Sequence, residues 1–382
     1  MTSSRGLASG LVVAGVALIA TCYGLARFAY GLYAPRFAEE FAFTAATTGL
    51  IAAGSYVGYC LAIGLSMIAT VRWGPRRVAV AAGAVAATGM AIVAVSPSAA
   101  VLAAGVLIAG SSTGIASPPL AAAVARWVDE RSRDTAQTVV NAGTGLGVLV
   151  SGPVALLLVD QWRAAWALFA AVAVVVTVCV ARTVPGGGRA DPERPVDQGR
   201  PAGLVRLLVA SAAMGLASIA VWTFGQDLVS VANPTTSWAA PATWTVIGAA
   251  GVVGAFSGPL VTRLGLARAW TALMLFLAAG VAGLGAGAGH TAMALLAGAV
   301  FGASYIALTG VVLVWATRLY PDRASYGVGL AFFMIAVGQA VGAPLVGLLA
   351  DGTSVATTFY GCAAVALVGS LLTLPRVHLP VP

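Results

Sequence analysis

A single arginine sits deep in an apolar run: in YGLARFAYG, Tyr23 to Gly31, Arg27 follows an uncharged stretch that begins at Gly6. Holding a guanidinium near a bilayer centre costs roughly 2.5 to 3.5 kcal/mol on insertion scales, so something must offset it. Tyr23, Arg27 and Tyr30 stand at i, i+4 and i+7, on one face of a helix. A guanidinium grips carboxylate or phosphate through two parallel hydrogen bonds, and flanking rings suit an organic body. Arg27 is therefore a candidate for binding an organic anion. Two other roles are open to it: bonding helix carbonyls and tyrosines as interhelical glue, or snorkelling to the outer surface.

Further candidate substrate contacts are Thr113, Asn141, Trp222, Gln226 and Tyr305, polar or amphipathic groups in apolar surroundings. Each taken singly is more often an interhelical hydrogen bond than a ligand contact. Asp227, which ends AVWTFGQD, is the sole acid in or beside the interior of an apolar run. It is the candidate for a counter-charge or a proton-coupling group. The four cysteines form no C-x-x-C pair and the two histidines stand apart, so the pattern contains no metal site and implies no cofactor.

The chain that must position these groups has 382 residues, 60% of them hydrophobic and 8% charged, with a mean hydropathy of +0.96. Soluble domains carry about 25% charged residues. Apolar stretches long enough to cross a bilayer recur from end to end. They predict twelve spans, at 8–34, 47–70, 78–95, 99–124, 136–158, 164–181, 204–229, 240–261, 270–288, 291–316, 327–348 and 355–374. Lipid offers no partner to unpaired backbone groups and the runs do not alternate in polarity, so the spans are helices and the fold is all-α.

The formal charge of +8 comes from arginine alone, since the chain has no lysine. With the N-terminus inside, seventeen arginines fall in cytoplasmic segments and only Arg36 and Arg163 outside. The positive-inside rule then places both termini in the cytoplasm, and the basic balance is an orientation signal rather than a nucleic-acid surface.

Residues 182–206, rich in Pro, Gly and charge, read as a cytoplasmic linker between an N-terminal six-helix bundle, 1–181, and a C-terminal one, 207–382. The two halves repeat. VRWGPRR after span 2 aligns with TRLGLAR after span 8, pairing Arg72 with Arg263 and Gly74 with Gly265; GLGVLVSGPV of span 5 aligns with VGQAVGAPLV of span 11, pairing Gly147 with Gly338 and Pro153 with Pro344. Both alignments share an offset of 191 residues. Such internal symmetry is the mark of a transporter whose halves rock about a central site. The same offset sets Asp227 level with Arg36, about 13 Å further along span 1 than Arg27. Arg36 and Asp227 are accordingly candidates to pair in an outer gate, the alternative being two solvated residues at helix ends.

With these residues in view the chain resembles a twelve-span member of the major facilitator superfamily over essentially its whole length. The loop after span 2 resembles the superfamily's G-x-x-x-D-R-x-G-R-R signature at Arg72, Gly74, Arg76 and Arg77; Met67 and Val71 depart from it, and Thr262 replaces the acid in the second copy. Arg72 and Arg263 are candidate gating residues on that basis, with topology and loop solvation as the other role open to them. Gly143, Gly147, Gly152 and Pro153 are similar to a span 5 motif of the superfamily's antiporters. Gly147, Gly152, Pro153, Gly338, Gly342 and Pro344 equally suit plain helix packing and kinking. Gly24, Arg27, Phe28 and Tyr30 resemble a G-x-x-R-F-x-Y signature of a bacterial branch. The resemblance implies that spans 1, 4, 7 and 10 line the cavity, so that Arg27 looks onto the transport path.

The expected function is secondary active transport of a small organic solute, anionic or amphipathic, across the cytoplasmic membrane by alternating access, with a coupling proton open and a monomer expected. A proton-coupled multidrug efflux antiporter is the alternative, and a non-transporting receptor or scaffold the alternative of another class. The spans contain no histidine for an intramembrane enzyme, and without lysine the chain has no phosphate loop for ATP.

Overall fold

The computed structural model describes residues 2–158, 160–186 and 201–372. Most of the expected linker, with Arg189, Arg194 and Arg200, and the tail with Arg376 and His378 lie outside the described residues. The described chain is helical throughout, without strands. Each predicted span is found, and most helices extend a few residues past it: span 2 is Ala45–Trp73, span 4 Ala99–Trp127, span 5 Arg133–Leu157, span 7 Leu204–Ala232, span 10 Thr291–Leu319 and span 11 Ala324–Gly352. Eleven are long and apolar enough to cross a bilayer; span 12, Val355–Ser370, is shorter.

The repeat is visible in the backbone itself. Gly74 has φ 82° and ψ 157°, and Gly265, its mate, has φ 77° and ψ 154°. Each ends one span and begins the next in a conformation that a Cβ would exclude. Equal offset and equal dihedrals at a turn only glycine makes easily tie the two halves together more firmly than sequence alone.

Two spans break the regular pattern. Span 1 is α-helical over Thr2–Ile19, π-helical over Ala20–Phe28 and α-helical again over Ala29–Phe41. Span 8 runs as Ala239–Gly251, a 3-10 stretch Val252–Phe256, and Ser257–Leu264. Span 5 lies against both irregular segments, and its small residues explain how. Gly143 and Gly147 face the backbone of span 1 at Val16 and Ala20, while Gly145 and Gly152 face span 8 at Gly251 and Thr245. Without side chains in the way the helices approach to backbone contact, which is what drives helix association in lipid. Span 11 does likewise: Gly338 meets the Ala212 carbonyl and Gly342 rests on Ile219 of span 7, while across the seam between halves Gly49 and Gly347 meet the carbonyls of Ala343 and Ala45. Pro153 and Pro344 lie inside helices that continue past them.

The outer surface is apolar where it faces lipid. Leu61, Leu65 and Ile68 of span 2 are all exposed at i, i+4 and i+7; such a stripe would be a liability in water and costs nothing in hydrocarbon.

Candidate functional site

The π-helical segment carries Tyr23, Gly24, Arg27 and Phe28. Its wide turn shows in the Ala29 amide, which reaches back five residues to the Gly24 carbonyl. Single π turns inside α-helices recur at functional sites. Here the segment is wedged against span 5, with Gly24 set on the backbone of Gly147 and Val148.

Arg27 is only 4% exposed, so it does not snorkel. Its guanidinium carbon lies 4.6 Å from the ring centre of Tyr56, 4.8 Å from Tyr59, 4.9 Å from Phe28 and 5.7 Å from Tyr23. These are cation–π distances. Tyr23 is fixed in turn by Ser117 of span 4 at 2.7 Å and by the Tyr59 hydroxyl at 3.2 Å. The rings soften the burial of the charge without neutralising it.

The guanidinium makes its hydrogen bond to a residue of the other half. Nη2 donates to Oε1 of Gln339 on span 11. Since a guanidinium can only donate, the amide oxygen must face Arg27, and the amide nitrogen donates to Ser218 Oγ at 3.3 Å and the Tyr305 hydroxyl at 3.2 Å. Ser218 is the repeat mate of Arg27, so one amide ties together equivalent positions of the two halves. Arg27 Nε has no hydrogen-bond partner, and no ion pair involves Arg27 among the described residues.

A second aromatic group completes the seam. Phe28 stacks on Trp222 of span 7 at 3.9 Å, and Trp222 meets Tyr305 and Phe301 of span 10 edge-on at 5.2 Å each. Trp222 Nε1 is a further buried donor without a partner. Gly31, the repeat mate of Trp222, lies directly on the Trp222 carbonyl, so spans 1 and 7 cross here. A cavity of about 20 Å³ lies between Ser117, Asn141, Leu313 and Phe332. It is large enough for one water.

The structure brings Arg27, Tyr23, Trp222 and Tyr305 together, and separates the others. Tyr30 does not share their face, because the wide turn between shifts the phase of the helix: its ring stacks on Phe37 and its hydroxyl donates to the Thr48 carbonyl. Thr113 turns its hydroxyl to the Gly110 carbonyl of its own helix. Gln226 donates to the Ala240 carbonyl of span 8 at 2.8 Å. Asn141 donates to Thr309 Oγ1 at 2.8 Å, joining span 5 to span 10 across the seam.

The candidate Arg36–Asp227 pair is not formed. Arg36 bridges Glu39 at 3.0 Å and Asp160 at 3.2 Å, both in its own half, and Asp227, half-buried, has no ion pair among the described residues. The reason is geometric. Residues related by a twofold axis touch only near that axis; Gly31 and Trp222 are there, and five residues on the helix has turned by about 140°. At the outer end the halves are joined instead by Asp351, whose carboxylate accepts the amides of Ala45 and Ala46 at 3.1 and 3.0 Å, a favourable place for an anion at the first turn of span 2. Arg72 and Arg263 are exposed at the inner ends of spans 2 and 8, without ion pairs among the described residues.

Gln339 and Ser218 are the site residues that spacing did not single out. The signal was available: Gln339 is a lone amide in an apolar run, and Ser218 falls on the repeat position of Arg27.

A family profile described as "Uncharacterised MFS-type transporter YbfB" matches residues 19–374. The Pseudomonas aeruginosa protein named transcription regulatory protein OpdE is 26% identical over 264 residues, 66% of this chain and 65% of that protein, so the match spans slightly less than two thirds of that relative. Among solved structures, the xylose transporter XylE from E. coli in a partially occluded inward-open conformation has a TM-score of 0.78 at 13% identity, covering 96% of this chain and 97% of its own. A mutant form of the nucleoside transporter NupG gives 0.73 at 13%, covering 95% and 98%. The human organic anion transporter MFSD10 gives 0.71 at 16%, covering 97% and 99%. At these identities the likeness establishes the fold. Since the profile spans nearly the whole chain, the protein belongs to the YbfB-type family of major facilitator superfamily transporters.

Proposed function

We propose that this secondary transporter moves a small organic anion across the cytoplasmic membrane by alternating access, with Arg27 as the group that binds the anionic end. The observation that carries the reading is a buried guanidinium at the seam between the halves with a neutral amide as its hydrogen-bond partner and, among the described residues, no carboxylate paired with it. A buried charge left without a counter-charge is costly, and inside a membrane such a residue marks a substrate or ion pathway. The rings of Tyr23, Phe28 and Trp222 favour a substrate with a flat organic body. The Asp351 contact closes the outer end in this state, and its rupture accompanies opening to the outside. Asp227 is the acid available for proton coupling.

Counterflow in proteoliposomes tests this. Vesicles preloaded with unlabelled benzoate, phenylacetate or pyruvate are expected to take up the labelled counterpart saturably, and protein-free vesicles to take up none above leak. Exchange confined to neutral or cationic drugs would replace this reading with multidrug transport, and a protein that exchanges nothing would sink it.

A further inference from the structure

The hydrogen bond between Arg27 and Gln339 uses Nη2, one of the two nitrogens that form the Nε edge of the guanidinium. Nη2 and Nε lie side by side on that edge and together receive the two oxygens of a carboxylate. Gln339 Oε1 occupies the Nη2 position, and Nε beside it is buried and unpartnered. An amide has one oxygen and fills half of the edge; a carboxylate has two and fills it all.

We propose that Gln339 is a neutral stand-in for the substrate, holding half of the edge that a monocarboxylate takes over in the loaded state. The inference rests on the organic-anion reading of Arg27. Two arguments support the exchange. A carboxylate brings a full negative charge and two oxygens to the guanidinium, where the amide brings one neutral oxygen, so a carboxylate outcompetes the amide for the same donor. The amide nitrogen meanwhile keeps Ser218 and Tyr305, both in its own half, so Gln339 swings aside within one bundle without losing those partners. The contact surrendered is the one that crosses between halves. Anion binding thereby releases span 1 from span 11, which links occupancy to the freedom of the halves to move.

The charge sets the substrate class. Arg27 is a single positive charge in a cage of neutral rings, so one carboxylate balances it and a second would be buried unpaired. A monocarboxylate fits, and a dicarboxylate or phosphate monoester does not.

The test uses the full-length protein in detergent, with benzoate, phenylacetate and pyruvate as probes and phthalate and benzamide as controls, read by thermal shift. At least one monocarboxylate is expected to raise Tm in the wild type, with phthalate and benzamide inert. Gln339→Glu supplies a permanent carboxylate and is expected to raise Tm without ligand and to lose the response. Gln339→Leu removes the competitor and is expected to bind the active probe about tenfold more tightly. A wild type that responds together with a Gln339→Glu protein that responds equally overturns the stand-in while leaving the organic-anion reading intact. Weaker binding by Gln339→Leu also overturns it, and does so even where the glutamate variant fails to fold. A phthalate response as strong as that of benzoate overturns the monocarboxylate class. A wild type that no anion stabilises defeats the organic-anion reading, and the stand-in with it.

Discussion

Arg27→Met is expected to yield a folded protein that is no less heat-stable than the wild type and moves no organic anion. The stability half of this follows from burial. Arg27 has a cage of four rings, one amide and an empty Nε, and a hydrophobic side chain of similar length replaces a poorly compensated buried charge, which is often neutral or stabilising. The transport half follows from the bonds lost. Two hydrogen bonds to a charged group are worth about 1.5 to 3 kcal/mol each, so affinity should fall by about 10² to 10⁴-fold. Arg27→Lys keeps the charge without the two-donor edge and should lie between. Counterflow and thermal melts on the same preparations separate the possibilities. Were Arg27 only interhelical glue, the methionine variant would melt well below the wild type, and any remaining folded protein would still exchange.

Gly147→Leu is expected to abolish recovery of monodisperse protein, whereas Gly54→Leu is tolerated. Both are glycines in apolar spans with a partner four residues away, and a sequence reader would treat them alike. The structure separates them. A Cβ at Gly147 meets the Ala20 carbonyl and the Gly24 backbone, while one at Gly54 meets nothing within 4 Å. Overpacking costs about 1 to 3 kcal/mol when neighbours can shift, and more here because the obstacle is backbone on which the π-helical segment rests. Size-exclusion profiles of fluorescently tagged variants, with Gly147→Ala as an intermediate, would show the order. Equal recovery of both leucine variants would mean that span 5 does not support the segment carrying Arg27.

The spans were legible because lipid imposes them: a run of apolar residues with no water to satisfy its backbone has few choices but helix. The repeat was legible because Gly74 and Gly265 answer one geometric demand. The π-helical segment was not, since a span that is apolar all round offers no periodicity from which a change of turn could be read. Tyr30 was misplaced for that reason. The Arg36–Asp227 pairing failed differently: equal depth is what a repeat offset gives, and contact also needs the right azimuth. Gln339 was passed over because a solitary amide in a span is usually a helix-to-helix bond, and its chemistry becomes distinctive only beside a charge from the opposite half.

The lone charge at the seam also determines how such a carrier responds to voltage. On the proposed reading a bound monoanion balances the charge of Arg27 and the empty site carries it, so the empty return step is the one that senses the transmembrane field. A carrier moving one monoanion per cycle by itself transfers one elementary charge, worth about 2.3 kcal/mol per 100 mV, or a concentration ratio of about fifty. Under an interior-negative potential that ratio favours export, and accumulation inside requires a cation to travel along. Anion uptake measured while valinomycin sets the vesicle potential therefore reports whether a cation travels along: uptake blind to voltage implies one monovalent cation for each anion, and voltage dependence gained in Asp227→Asn would assign that cation, a proton, to Asp227.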